Sequence, residues 1–128
     1  MNVQTHKHIS AELCGSPEEL SPGRSVVAMT TIPVMAADDQ DLVHGGFVFG
    51  MADYAAMLAV NDPNVVLGAS ETKFLKPVRV GDCLTATAVV MEDKGKKRVV
   101  NVSVSRGDME VLTGVFTCFV LEKHVLSQ

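Results

Sequence analysis

Tryptophan is absent from the 128 residues, and one Tyr with five Phe brings the aromatic content to only 5%. The core must therefore be aliphatic, built on Val, Leu, Ala and seven Met, and a 47% hydrophobic content is enough for one. Runs of basic residues are also missing, and a formal net charge of −4 argues against a nucleic-acid-binding surface. Cysteine is scarce: Cys14, Cys83 and Cys118 are an odd number without C-x-x-C spacing. That pattern suits reduced thiols in a cytoplasm better than a disulfide framework. Cys83 and Cys118 fall in strand-like stretches and are expected as small core residues. The opening MNVQTHKHISAEL has no apolar stretch, so it does not read as a signal peptide. No segment supplies the ~20 apolar residues of a membrane span, because Asp53 interrupts the best one. The expectation is one cytoplasmic domain over residues 1–128, with 1–23 as an N-terminal extension.

Ser16 before Pro17, Glu18 and Glu19 has the form of a helix cap with an acidic first turn, and Pro22-Gly23 would end that helix quickly. Residues 24–34 (RSVVAMTTIPV) read as a strand, with Pro33 weakening its far end or placing it at an edge. Residues 45–61 are long, apolar and free of proline, which predicts a helix opened by Gly45-Gly46 and stopped by NDPN. Four strands follow over 65–78, 83–93, 97–107 and 109–123. They are separated by VGD, DKGK and RGD turns, and short connections favour a meander. Val100, Val102 and Val104 alternate with Asn101, Ser103 and Ser105, so one face is buried and the other wetter. RGD at a hairpin turn is read as turn chemistry rather than as an adhesion motif.

The predicted helix is apolar on every side except for Asp53, so it must be covered all round. One curved sheet covers only one side. The first strand, loops or a second subunit must supply the remainder, which favours a homo-oligomer.

Three features resemble the hotdog-fold thioesterases of the phenylacetate-pathway type. They are His44-Gly45-Gly46 with Asp53 nine residues after the histidine, the stretch FLKPVRVGD (74–82), and the order strand, helix, four strands. The resemblance spans about residues 24–121. It implies an α+β hotdog fold, a curved antiparallel sheet wrapped around a long central helix, assembled as a homodimer or homotetramer. It implies acyl-CoA as the substrate, thioester hydrolysis as the reaction, and no cofactor.

In that family Asp53 matches the catalytic carboxylate, nucleophile or general base, and the Gly45 amide matches the oxyanion donor. Helix N-termini carry free N–H groups and partial positive charge, and glycine allows close approach, so the chemistry agrees. Gly46 and Asp53 are seven residues apart, about 10 Å along a helix, too far to act on one carbonyl. A site using both ends must combine two helices. His44 either fixes the turn into the helix or helps place the thioester, and Gly46 lies beside it. Relatives often carry Asn where this chain has Asp38, which cannot donate a hydrogen bond when ionised; Gln40 could supply the amide. Ser70, Glu71 and Thr72 lie where relatives place a polar helper. Strand alternation puts Ser70 and Thr72 on one face and Glu71 on the other, and either face is open to meet the site. Lys73, Lys76, Arg79 and the cluster Lys94, Lys96, Lys97, Arg98 are candidates for the CoA phosphates, or scattered solvated charges. His6 and His8 form an H-x-H pair with no acid nearby in sequence, so no metal is expected. A non-catalytic acyl-CoA-binding hotdog protein is the alternative to an enzyme.

Overall fold

Glycine at two successive positions, a histidine cap and an asparagine stop define the central helix α2, Gly45–Val60. A computed structural model of the chain describes residues 1–127. His44 keeps extended backbone and its Nδ1 accepts from the Gly46 N–H at 2.8 Å, closing the first turn. At the other end Asn61 adopts the left-handed conformation (φ 52) and its N–H reaches the Met57 carbonyl.

Six strands form one antiparallel sheet around this helix: β1 Ser16–Ser21, β2 Arg24–Thr30, β3 Val65–Phe74, β4 Cys83–Lys94, β5 Lys97–Arg106 and β6 Met109–Val120. Their order is β1-β2-β4-β5-β6-β3. The α+β hotdog architecture is therefore as expected, with two corrections to the strand plan. Only β4, β5 and β6 make a meander; β3 crosses to the far edge and pairs with β6. The link over 75–82 carries that crossover. Arg106, the arginine of the RGD turn, braces it by donating to the Pro77 carbonyl and pairing with Asp82 at 3.1 Å.

The second correction is at the start. Residues 16–21 are strand, not helix: Pro22-Gly23 (Gly23 φ 75) forms a tight turn that pairs Ser21 with Arg24 and zips SPEELS onto β2. The short helix lies just before it, α1 Ala11–Cys14, with the Ser10 hydroxyl accepting from the Leu13 N–H. Pro33 does not make β2 an edge, since β2 lies between β1 and β4. The strand ends at Thr30, and Pro33 opens a single 3-10 turn instead.

Met51, Met57, Leu58 and Phe116 are fully enclosed, in a core that α2 shares with β2, β4 and β5. The buried Ser25 hydroxyl donates to the Ala55 carbonyl at 2.6 Å, tying β2 to the helix. Much of the helix's other side is covered by the chain's own beginning. Asn61 accepts from the Gln4 N–H at 2.8 Å and donates to the Asn2 carbonyl at 2.9 Å, so the N-terminal strap lies across the helix. Val3, Leu13 and Cys14 pack against the core there. Cys118 is buried as expected, whereas Cys83 is exposed because it opens β4 on the outward side of the pleat. No helix among the described residues is long and apolar enough to cross a membrane.

Candidate active site

Asp53 lies midway along α2, half-buried rather than enclosed. It lines an open cleft of about 400 Å³ with Thr5, His6, Met57, His124 and the first residues of β3, Val65–Leu67. Burial pushes its carboxyl above the ordinary range, and the nearby His6 charge partly offsets this. Burial, reinforced by the same carboxylate, raises the thiols of Cys14 and Cys118, the latter to about 12, which favours their protonated forms. Asp53 is thus a carboxylate with its basicity raised by a partly dry setting, which suits a base.

The glycine end of the helix faces elsewhere. Gly45 lines a second cleft, of about 320 Å³, with Val48, Phe74, Lys76 and Pro77. A Cβ added at Gly45 would stand 3.1 Å from the Phe74 ring, so glycine lets that ring lie on the helix end. His44 bonds the Gly46 amide, which leaves the Gly45 N–H as the donor without a protein acceptor among the described residues. Of the two expectations for His44, fixing the turn is what its contact does.

Asp38 and Gln40 line a third cleft of about 430 Å³, with Arg79, Asp82 and Arg106. This cleft shares Pro77 and Val78 with the Gly45 cleft, so the two adjoin. The Asp38 carboxylate accepts from the Gln40 and Leu42 amides at 2.9 and 3.2 Å, which shapes the loop before the helix. Within one chain, then, Asp38 and Gln40 stand at the glycine end and not beside Asp53. Ser70 pairs with buried Phe116 and Thr72 with Gly114, so both share the face turned toward the helix. Their hydroxyls bond each other. Glu71, opposite exposed Val115, faces away. The basic cluster at 94–98 is a solvated turn in which Arg98 pairs with Asp93 at 3.0 Å.

The residue that sequence reasoning passed over is His6. Asp53 is 47 positions away, and only the strap's path over the helix brings the two residues into one cleft. No group of residues suited to a metal ion exists among the described residues.

Residues 40–113 match the Thioesterase superfamily. The chain is 50% identical over 95% of its length to methylthioribose-1-phosphate isomerase of Aquifex aeolicus, but spans only 27% of that protein. It is 28% identical over 94% of its length to the transcription factor FapR of Caldanaerobacter subterraneus, covering 60% of it. With the acyl-coenzyme A thioesterase PaaI of Escherichia coli it shares 34% identity over 66% of its length and 61% of that protein. Among solved structures, an uncharacterized protein from Pyrococcus horikoshii is 54% identical, with a TM-score of 0.97 over 98% of this chain and 97% of that one.

Proposed function

The chain belongs to the thioesterase superfamily, and from that premise we propose that it is an acyl-CoA thioesterase whose active site is shared between two copies. One observation carries this reading. The Asp53 cleft includes the start of β3 and the Gly45 cleft includes its end, and β3 is an edge strand with a partner on one side only. The ten-residue strand is roughly 30 Å long. A two-fold, antiparallel pairing of β3 with β3 of a second copy lays the start of one strand against the end of the other. The Asp53 of each copy then meets the Gly45 of its partner, twice over. Homodimers built this way, or homotetramers of two such pairs, are the working unit, and residues 1–128 form one hotdog domain.

The reaction follows from the groups. The thioester oxygen accepts from the Gly45 N–H at the positive end of α2. Asp53 either takes a proton from an attacking water or attacks the carbonyl itself, in which case the acyl anhydride left on Asp53 is afterwards hydrolysed by water to the free acid. The tetrahedral intermediate collapses, the C–S bond breaks, and CoA leaves as thiolate to be protonated. His44 and Gly46 hold the turn that presents the Gly45 amide. Ser70 and Thr72, on the inner face of β3, offer hydroxyls to the substrate. Asp38 and Gln40 shape the glycine-end cleft, where Lys76 and Arg79 supply cations for the CoA phosphates. Three free thiols fit a reducing cytoplasm. Neither a membrane nor a nucleic acid is a partner in this reading.

The test is hydrolysis of a panel of acyl-CoAs by the wild type and by Asp53→Asn. A loss of kcat/KM of about 100-fold or more is expected, the size of a removed general base; full activity in the variant would overturn the assignment. The similarity to a transcription factor favours one second reading, a protein that binds acyl-CoA without hydrolysing it. Tight binding with no turnover by the wild type would support that alternative.

A further inference from the structure

The N-terminal strap does more than cover the helix, because it brings one imidazole into the cleft that a carboxylate lines. Asn61, itself in the left-handed conformation, clamps the Asn2 carbonyl and the Gln4 amide. Two residues on, His6 also has positive φ (52), a conformation that is strained for a non-glycine residue and persists only where the surroundings impose it. Thr5, 95% removed from solvent, bonds the His6 Nδ1 through its hydroxyl at 2.8 Å. The imidazole is also tilted against the Tyr54 ring, with centroids 6.5 Å apart. Clamp, buried hydroxyl and ring together fix His6 in the cleft that Asp53 lines.

We propose that His6 is a positioning residue for Asp53, anchored at Nδ1 by Thr5 and acting on the carboxylate through the cleft both residues line. The role rests on the reading of Asp53 as the base. When the Thr5 hydroxyl donates to Nδ1, the remaining ring nitrogen carries the proton. The ring makes no hydrogen bond to the carboxylate and acts on it through its charge across the cleft. As the medium turns acid His6 becomes a cation, and its charge favours ionised Asp53. Burial alone lowers His6 and raises Asp53, and each group's charge offsets the other's shift. The other titratable groups around the carboxylate are Cys14 beyond α1, Cys118 on β6, Tyr54 on α2 and His124 from the C-terminal segment. The two thiols and the phenol stay neutral wherever Asp53 titrates. His124 is therefore the imidazole that a test must separate from His6.

The experiment combines the pH profile of kcat/KM with the titration of the Asp53 carboxyl carbon by NMR. It uses full-length wild type, His6→Gln, Thr5→Val, His124→Gln and, as an exposed control, His8→Gln. In His6→Gln the Asp53 titration is expected to move to higher pH. Its kcat/KM should fall about threefold or more near pH 5 and recover toward the wild-type value near pH 8, where the native imidazole is itself neutral. Thr5→Val, nearly isosteric, should give a smaller shift in the same direction; His8→Gln should give none. A loss of equal size at every pH, as from a merely structural role, would overturn the inference. So would an unmoved Asp53 titration in His6→Gln, or a shift produced by His124→Gln instead. Should the wild type turn over no acyl-CoA, the thioesterase reading fails on its own. The carboxyl titration still decides the role of His6.

Discussion

Asp53 stands where its charge costs stability, and the sign of that cost can be worked out. Its carboxyl is raised in the fold, so the folded chain holds the proton more tightly than the unfolded one. The resulting stabilisation is complete below the ordinary carboxylate value of about 4 and is lost as pH rises through the folded value. Near neutrality the ionised carboxylate is a net burden, carried for its chemistry. Asp53→Asn should therefore melt roughly a few degrees higher than wild type near pH 7, and this advantage should shrink toward pH 4. Melting curves by circular dichroism at the two pH values check this; a variant less stable than wild type at neutrality would contradict it. Asp53 was legible in the sequence because a lone acid in an apolar helix is conspicuous. His6 was not, because nothing local distinguishes a histidine near a terminus from one that a clamp carries into a cleft.

The helix and the strands were legible to different degrees, for reasons visible in their residues. Gly45-Gly46 and NDPN bracket α2 so plainly that its observed ends, Gly45 and Val60, fall within one residue of the 45–61 read from the sequence. The alternation of Val100, Val102 and Val104 likewise marks β5. SPEELS misleads because β1 is an edge strand with mostly exposed side chains, so it shows no alternation and its local signals favour a helix. The partner of β3 was hidden for another reason: connection length says which strands follow each other, and packing decides which strands pair. The strap is the element whose contribution is simplest to measure. Asn61→Gly keeps the left-handed stop but removes both clamp bonds, and is expected to cost about 1 kcal/mol. Asn61→Ala loses the clamp and also pays for the left-handed backbone, roughly another 1 kcal/mol. Urea unfolding of the two variants tests this ordering, with faster amide exchange over residues 2–6 expected in both.

At the scale of the assembly, the reading requires each subunit to hold two unlike half-sites at opposite ends of β3. Asp53→Asn damages one half, and Gly45→Val, which forces a side chain into the Phe74 ring, damages the other. Each variant alone should be inactive. Co-refolded in equal amounts, half of the dimers are mixed and each mixed dimer carries one intact site, so about a quarter of wild-type activity should return. No recovery in demonstrably mixed dimers would mean that both halves act within one chain. The sequence carried the need for this arrangement, since about 10 Å of helix separates Gly46 from Asp53. It could not show that the two clefts include opposite ends of the same free edge.

The lone tyrosine has a use of its own. Tyr54 follows Asp53 in the helix, is buried beneath the strap and meets the His6 ring. A chain without tryptophan has no brighter emitter to mask it. The molecule therefore carries a single tyrosine emitter beside its candidate site. An event that lifts the strap or charges the imidazole it meets is expected to change that one emission, with no label attached.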